Sequence, residues 1–368
     1  MKKVGRRSFI AGAAAVSAAA SSFPAPAIAQ ERMEWKMVTS WPKGLPGLGS
    51  GAERLAQRIG VLSQGRLTVK VYAAGELVPA LQCLDAVASG TAEMAHDAAY
   101  YHIGKAPAAG FFTAVPFGMT AGELNAWVRF GGGQELWDQL YDGFGIKPFL
   151  AGNTGVQMGG WFRKEITNVG DFNGLKFRMP GQGGQALAKL GVTVVTLPGG
   201  EIFANLQSGA IDATEWVGPY NDLSLGFFKV AKFYYWPGFH EPGSGLEALV
   251  NKSKFAALPA DLQEIVATSC AAENDIMLSE FNGRSAPALA TLVNEHGVQL
   301  KQFPKDVLTA FGKASGEVMQ EVYDNGDDIT KKICASYFAF RKDIGAWTRI
   351  SEQAYTNARL LDFKYPAG

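Results

Sequence analysis

Segments with the two-residue period of a strand alternate with segments of helical period along most of the chain, and this alternation restricts the fold to a layered α/β architecture. Residues 34–39 set Trp35 and Met37 against Lys36, and residues 66–72 place Leu67, Val69 and Val71 on one face. Between them Ala52, Leu55, Ala56, Ile59 and Leu62 recur at helical spacing, with Gly60 near the end of the run. Leu81, Leu84, Val87 and Ala88 form a second helical run that stops at Gly90, and an apolar segment follows at residues 93–100. The same grammar restarts after about residue 145. Apolar segments at 146–150, 156–162, 175–179 and 192–197 are accompanied by helical pieces at 184–190 and 201–208.

Two α/β units follow from this repetition. Gly152, Asn153, Thr154 and Gly155 interrupt the pattern where one unit hands over to the next, and the cluster Pro237, Gly238, Pro242, Gly243, Ser244, Gly245 marks a return crossing. Two crossings make the second domain an insertion in the first: residues 30–152 with about 240–325 form one domain, and 153–239 the other. From Leu258 onward the pattern is mainly helical, broken by one strand-like piece at 298–303. Residues 326–368 read as a long C-terminal helix, with Ile329, Ile333, Tyr337, Ile344, Trp347, Ile350 and Ala354 at helical spacing and Gly345 as the only breaker. Its apolar stripe either packs across both domains or pairs with a second copy of the chain.

At 368 residues the chain has ample core for two or three domains. Its 34 basic and 34 acidic residues give no basic excess, which argues against a nucleic-acid binder. That balance is not uniform. Lys2, Lys3, Arg6 and Arg7 precede an Ala-rich apolar stretch and Ala27-Ile28-Ala29, the pattern of a cleavable signal peptide over residues 1–29. Arg6-Arg7-Ser8-Phe9-Ile10 resembles a twin-arginine export signal. Its removal leaves 30 basic against 34 acidic residues, a net charge of −4. No later run is long and apolar enough to span a bilayer. Cys83, Cys270 and Cys334 can form at most one bridge and read as small buried hydrophobes.

The spaced signatures of common catalytic sites are absent: no H-E-x-x-H, C-x-x-C, G-x-S-x-G or Walker loop. His96, His102, His240 and His296 have no tight ligand spacing and read as satisfied or surface histidines. Gly47-Leu48-Gly49-Ser50-Gly51-Ala52 fits G-x-G-x-x-A between a strand and a helix, with Glu76 where a ribose-binding acid could fall. It supports the alternative of an exported NAD(P)-dependent oxidoreductase. Against this, Pro42 and Pro46 lie between the strand and the first glycine, and they spoil the turn that would bring pyrophosphate to the helix N-terminus.

Three stretches place polar groups inside apolar segments. Arg178 alternates onto the face opposite Phe177 and Met179 and ends a short strand before Pro180-Gly181. Strand ends of this kind hold ligand-binding groups in α/β proteins, and a guanidinium can grip a carboxylate with two parallel hydrogen bonds. A helix, a glycine stop and a buried strand deliver Glu215 and Trp216 to another strand end. Asn153 and Gln157 lie at the first crossing.

The run from Asp171 to Gly181, and the block from Pro198 to Trp216 with Gly209-Ala210-Ile211-Asp212, resembles the extracytoplasmic solute-binding proteins of tripartite ATP-independent periplasmic (TRAP) transporters. The resemblance runs from about Glu34 to the final helix. It implies a type II-like periplasmic binding protein fold, two α/β domains closing on a cleft, and a receptor in the periplasm that delivers its ligand to the transporter's membrane subunits. An arginine matching Arg178 binds the carboxylate of an organic acid in that family. The commoner sialic-acid and dicarboxylate branches follow the Asp with Gly-x-Glu-Asn; here Ala213-Thr214-Glu215-Trp216 stands instead, which resembles the branch binding 2-oxo acids such as pyruvate, or lactate, together with a cation. By this resemblance Gln157, Glu215 and Trp216 (main-chain oxygen) hold the cation, with Glu241 a further candidate. Asn153 and Tyr101, or its neighbour Tyr100, would donate hydrogen bonds to the acid. Oxygen ligands suit Na⁺ or Ca²⁺. The final helix resembles the swapped element through which members of this branch form homodimers.

Overall fold

The computed structural model describes residues 32–364, so the signal peptide expected over residues 1–29 lies outside the described residues. The chain opens with β1 (Met33–Thr39), α1 (Leu48–Leu62), β2 (Leu67–Tyr72), α2 (Cys83–Ala88) and β3 (Met94–Asp97). It continues through α3 (Ala121–Phe130), α4 (Gly133–Asp142) and β4 (Ile146–Asn153), then β5 (Gly160–Phe162), β6 (Lys176–Arg178), α5 (Gly181–Ala188), β7 (Thr193–Val195), α6 (Gly199–Ser208) and β8 (Ala213–Thr214). The remainder comprises α7 (Pro219–Leu225), β9 (Phe233–Trp236), β10 (Gly245–Asn251), α8 (Lys252–Ala256), α9 (Ala260–Asn294), β11 (Gln299–Gln302), α10 (Lys305–Asn325), α11 (Asp328–Ile350) and α12 (Glu352–Ala358).

Two sheets result. The first has the order β2-β1-β3-β10-β4 and the second β11-β9-β5-β8-β6-β7. In the first, β1 runs parallel to β2 and β3, while β10, returning from the second lobe, is antiparallel to both neighbours. Trp35 and Met37 of β1 pack with Leu55 and Ile59 of α1 beneath it, as the alternation requires. In the second, Phe162, Phe177 and Tyr235 form an aromatic core with Phe303 and Phe311. A third cluster joins the lobes: Trp41, Leu45 and Leu48 of the first meet Trp161, Trp216 and Tyr234 of the second.

Two expectations change here. The strand-like piece at 298–303, grouped above with the first domain, supplies β11, which pairs parallel with β9 at the edge of the second sheet. The 35-residue α9 carries the chain back to the second lobe, so the chain crosses more than twice. The terminal helix is also not continuous. It breaks at Ser351, and α11 packs on α3 and α4 of the body. Tyr337 packs edge-on against Phe111 and Trp127, and its hydroxyl accepts the Met119 N–H at 3.0 Å. Beyond Arg341, Ile344 still packs against the core and the Thr348 hydroxyl donates to Glu123 at 2.6 Å, while Trp347, Ile350, Tyr355, Leu360 and Leu361 are exposed. Cys83, Cys270 and Cys334 are buried and unbridged.

The glycine motif before α1 serves packing. A Cβ on Gly51 would lie 2.3 Å from the Met277 methyl carbon, and one on Gly47, at φ +73°, would lie 2.6 Å from the Phe281 ring. The chain's own side chains from α9 fill the space a pyrophosphate would need. Glu76, the supposed ribose acid, accepts the Ala73 N–H and pairs with Lys43 on the surface.

A buried acidic pair sits in the first sheet. Glu247 on β10 stands directly opposite Asp97 on β3. Both are buried, with His102 Nε2 2.9 Å from Asp97, Ser40 donating to Asp97, and Tyr141 donating to Glu247 at 3.4 Å. Burial first, and then the charge of Asp97, pushes the Glu247 carboxyl well above its usual range. The folded state therefore holds this proton more tightly than the unfolded chain, whose Glu titrates at about 4.3, and stability falls as pH rises from there toward the folded value. Glu247→Gln is permanently neutral and escapes this loss. Its melting temperature should exceed that of the wild type by a margin that widens from pH 5 to pH 8; a margin constant across that range would contradict the proton's placement.

Candidate functional site

The site lies where the second sheet's strand ends meet the first lobe. β6 pairs with β7 and β8, which buries Phe177 in the lobe core and turns Arg178 to the opposite face. The next residues, Pro180 and Gly181, start α5. Gly181 adopts φ +66°, and a Cβ there would come 2.7 Å from the Tyr100 ring, so glycine both makes the turn and admits Tyr100 of the first lobe. The Glu215 N–H donates to the Arg178 carbonyl at 3.2 Å, which sets the two side chains next to each other.

Arg178 is fully buried. Its Nε donates to the Leu197 carbonyl at 3.0 Å, Nη1 to the Glu215 carboxylate and main-chain oxygen, and Nη2 reaches across the lobes to the Tyr101 hydroxyl at 3.3 Å. Burial opposes its charge, yet the Glu215 carboxylate holds its pKa above the ordinary value. The guanidinium lies 5.0 Å from the Trp216 ring. Burial pushes the Tyr101 hydroxyl up to about 12, so it stays a neutral donor and acceptor.

The second crossing brings up Glu241. Its carbonyl accepts the Gln157 N–H at 3.1 Å, so the two crossings run side by side and their side chains meet. Gln157 Nε2 donates to Glu241 Oε2 at 2.7 Å, and Ser244 donates to the same oxygen. Burial first, and then the Glu215 charge, raises Glu241 to about 7. His240 Nε2 stands 3.2 Å from Glu215 and 3.9 Å from Glu241.

Gln157, Glu215, Trp216, Glu241, Tyr100 and Tyr101 thus converge around Arg178. Asn153 is committed to the crossing itself, its Oδ1 accepting the Gly155 N–H at 2.8 Å and its Nδ2 at 3.5 Å from the Gly243 carbonyl.

The donor set fits a hard cation. Gln157 Oε1 and Glu241 Oε1 are buried and find no hydrogen-bond partner among the described residues. Unpaired buried oxygens of this kind are costly, and a cation satisfies them. Glu215, His240 and Glu241 bring their ligand atoms within 4.8 Å of one another.

A family model described as bacterial extracellular solute-binding protein, family 7, matches residues 38–325. The chain belongs to that family. Family 7 relatives are similar over nearly their whole lengths. A monocarboxylate 2-oxoacid-binding periplasmic protein of Nostoc is 46% identical over 325 residues, 88% of each chain. A TRAP solute-binding protein from Pseudoalteromonas atlantica, solved with sodium and pyruvate, superposes with a TM-score of 0.86 at 39% identity, covering 91% of this chain and all of that one. One from Bordetella bronchiseptica, a mixed-occupancy dimer with calcium and picolinate in one site, gives 0.87 at 39% identity over 89% of this chain and 97% of that one. No helix among the described residues is long and apolar enough to cross a membrane.

Sequence reading missed two polar groups of this cluster, His240 and Ser244. His240 sits within the carboxylate cluster, and its only signal was adjacency to Glu241 between Pro237 and Pro242. Ser244 had no signal beyond its turn. Gln182, in the first turn of α5, is buried with neither amide atom bonded among the described residues. His96 behaves as read: Trp41 Nε1 donates to its Nδ1 at 2.8 Å, its Nε2 lies 3.0 Å from the Ala151 carbonyl, and burial lowers it to about 4. His296 stacks on Phe228.

Proposed function

We propose that this protein is a periplasmic receptor that binds a small 2-oxo monocarboxylate such as pyruvate together with Na⁺ or Ca²⁺ and delivers it to the membrane subunits of a TRAP transporter. The observation that carries the reading is the buried apposition of Arg178 to an oxygen cluster in which Gln157 Oε1 and Glu241 Oε1 have no hydrogen-bond partner among the described residues. Arg178 supplies one hold on the anion's carboxylate. A cation on Gln157 Oε1, Glu215, Glu241 and the Trp216 main-chain oxygen would supply the second, chelating the carboxylate and the adjacent oxygen. Tyr101 and Tyr100, from the first lobe, would close on the acid. A mature chain at −4 gives an anion no long-range attraction, so the holding groups have to be local.

Residues 153–157 and 237–245 would serve as hinge segments, since their stitched backbones join the lobes beside the ligand groups. The bare stripe from Trp347 to Leu361 supports a homodimer, checked by the mass from light scattering. Residues 1–29 support twin-arginine export. The reading is of a receptor, not an enzyme: the glycine loop is filled by α9, and the charged groups hold rather than transform a ligand.

A thermal-shift series tests the function. Pyruvate at about a hundred times its Kd should raise the melting temperature by roughly 5 °C in the presence of Na⁺ or Ca²⁺ and clearly less after chelation and desalting. Absence of any shift with 2-oxo or 2-hydroxy acids would refute it.

A further inference from the structure

Asn221 stands in the first turn of α7, fully buried, and makes one bond into each lobe. Its Oδ1 accepts the Trp216 indole N–H at 2.8 Å, and its Nδ2 donates to the Pro46 carbonyl, in the loop of the first lobe that leads into α1. The amide is planar and two-ended, so one side chain fixes both the tilt of the indole and its separation from the first lobe.

The surroundings make this connection stiff. Asp222 Oδ1 accepts the N–H groups of Val217 and Gly218 at 3.3 and 3.2 Å, while Oδ2 accepts from Trp161 Nε1 at 2.9 Å and the Tyr234 hydroxyl at 2.7 Å. Met158 N–H donates to the Val217 carbonyl at 3.0 Å. The loop carrying Trp216 is thereby bound to the second sheet on several sides. On the first lobe Pro46 also accepts the Leu48 N–H at the start of α1. The Trp216 ring meets Trp41 edge-on at 6.3 Å, a contact that adds apolar adhesion but little orientation.

We propose that Asn221 is a positioning residue that latches the closed cleft, tying the Trp216 indole beside Arg178 to the backbone of the opposite lobe. Opening that draws α7 away from the Pro46 loop breaks this bond, and the same side chain then stops steering Trp216, so closure and site geometry change together. The inference rests on the receptor reading above for its ligand, and on this geometry alone for the latch.

Asn221→Asp separates the two bonds. Burial raises such a carboxyl, and once ionised, in assays at about pH 9, it still accepts from the Trp216 indole but cannot donate to Pro46 and sets oxygen against oxygen. Stopped-flow tryptophan fluorescence with pyruvate and Ca²⁺ should show dissociation about tenfold faster than in the wild type, with ligand-free melting within about 2 °C. Asn221→Ser, too short to reach Pro46, should behave alike and serves if the Asp variant folds poorly. Small-angle scattering without ligand should show both variants more expanded than the wild type. A dissociation rate within twofold of wild type overturns the latch. So does a faster rate matched by a large loss of ligand-free stability, since Asn221 would then merely support the fold. Should the wild type bind no acid, the receptor reading falls, and the latch is judged by scattering alone, where superimposable curves overturn it.

Discussion

Arg178→Lys is expected to weaken pyruvate binding by on the order of 100-fold while the protein remains folded. Lysine keeps the charge but not the fork. The guanidinium holds its place by bonding the Leu197 carbonyl, Glu215 and Tyr101 at once, and a single ammonium on a flexible stem cannot span those three directions. Losing one partner of a desolvated, hydrogen-bonded ionic contact typically costs about 2–5 kcal/mol of binding, and about 2.7 kcal/mol is two decades of affinity. Arg178→Ala would remove more, because Glu215 would remain buried without the guanidinium that pairs with it; urea unfolding should show that variant about 3–5 kcal/mol less stable. The Lys variant is therefore the cleaner affinity test. Calorimetry giving an affinity within about threefold of wild type would remove Arg178 from the site.

Glu215→Gln is expected to abolish the cation's effect on acid binding. In the structure Glu215 faces Arg178 on one oxygen and His240 on the other, so without a cation it competes with the acid for the guanidinium. A bound Na⁺ or Ca²⁺ would draw the carboxylate toward Gln157 and Glu241 and reinforce the ligand's hold. The glutamine variant lacks the charge for either role. Titration with Ca²⁺ should show affinity lower by on the order of 100-fold, and pyruvate should bind weakly and equally with and without the ion. Undiminished cation dependence in Glu215→Gln would mean the ion sits elsewhere.

The positions of several candidate site residues were legible because they depend on short-range order. Arg178 was found from alternation against Phe177 and Met179 and from the turn that follows, and β6 delivers it to that face. The pattern put Glu215 at the strand end where β8 stands, but its role as a cation ligand came only from the family resemblance. Gln157 was singled out at the first crossing, but its pairing with Glu241 had no local signal, since they are 84 residues apart and meet because two crossings share backbone hydrogen bonds. His240 was read as a satisfied or surface histidine, and its place beside Glu215 had no local signal either. Asn221 gave no signal: a polar residue in a short helix looks solvated until its two partners, 5 and 175 residues away, are seen.

The sequence by itself determined the alternating α/β layers, the apolar faces of α1 and of the strands, the glycine and proline crossings, and the strand ends that carry charge. These follow from the backbone's two periods and from turn chemistry, which act within a few residues. Only the tertiary structure decided that residues 299–302 complete the second sheet, that the terminal helix breaks at Ser351 with half its stripe bare, and that α9 fills the glycine loop. It also decided which buried oxygens lack a partner. Edge pairing, helix docking and polar satisfaction depend on what arrives from distant parts of the chain, and a local pattern carries no record of its distant neighbour.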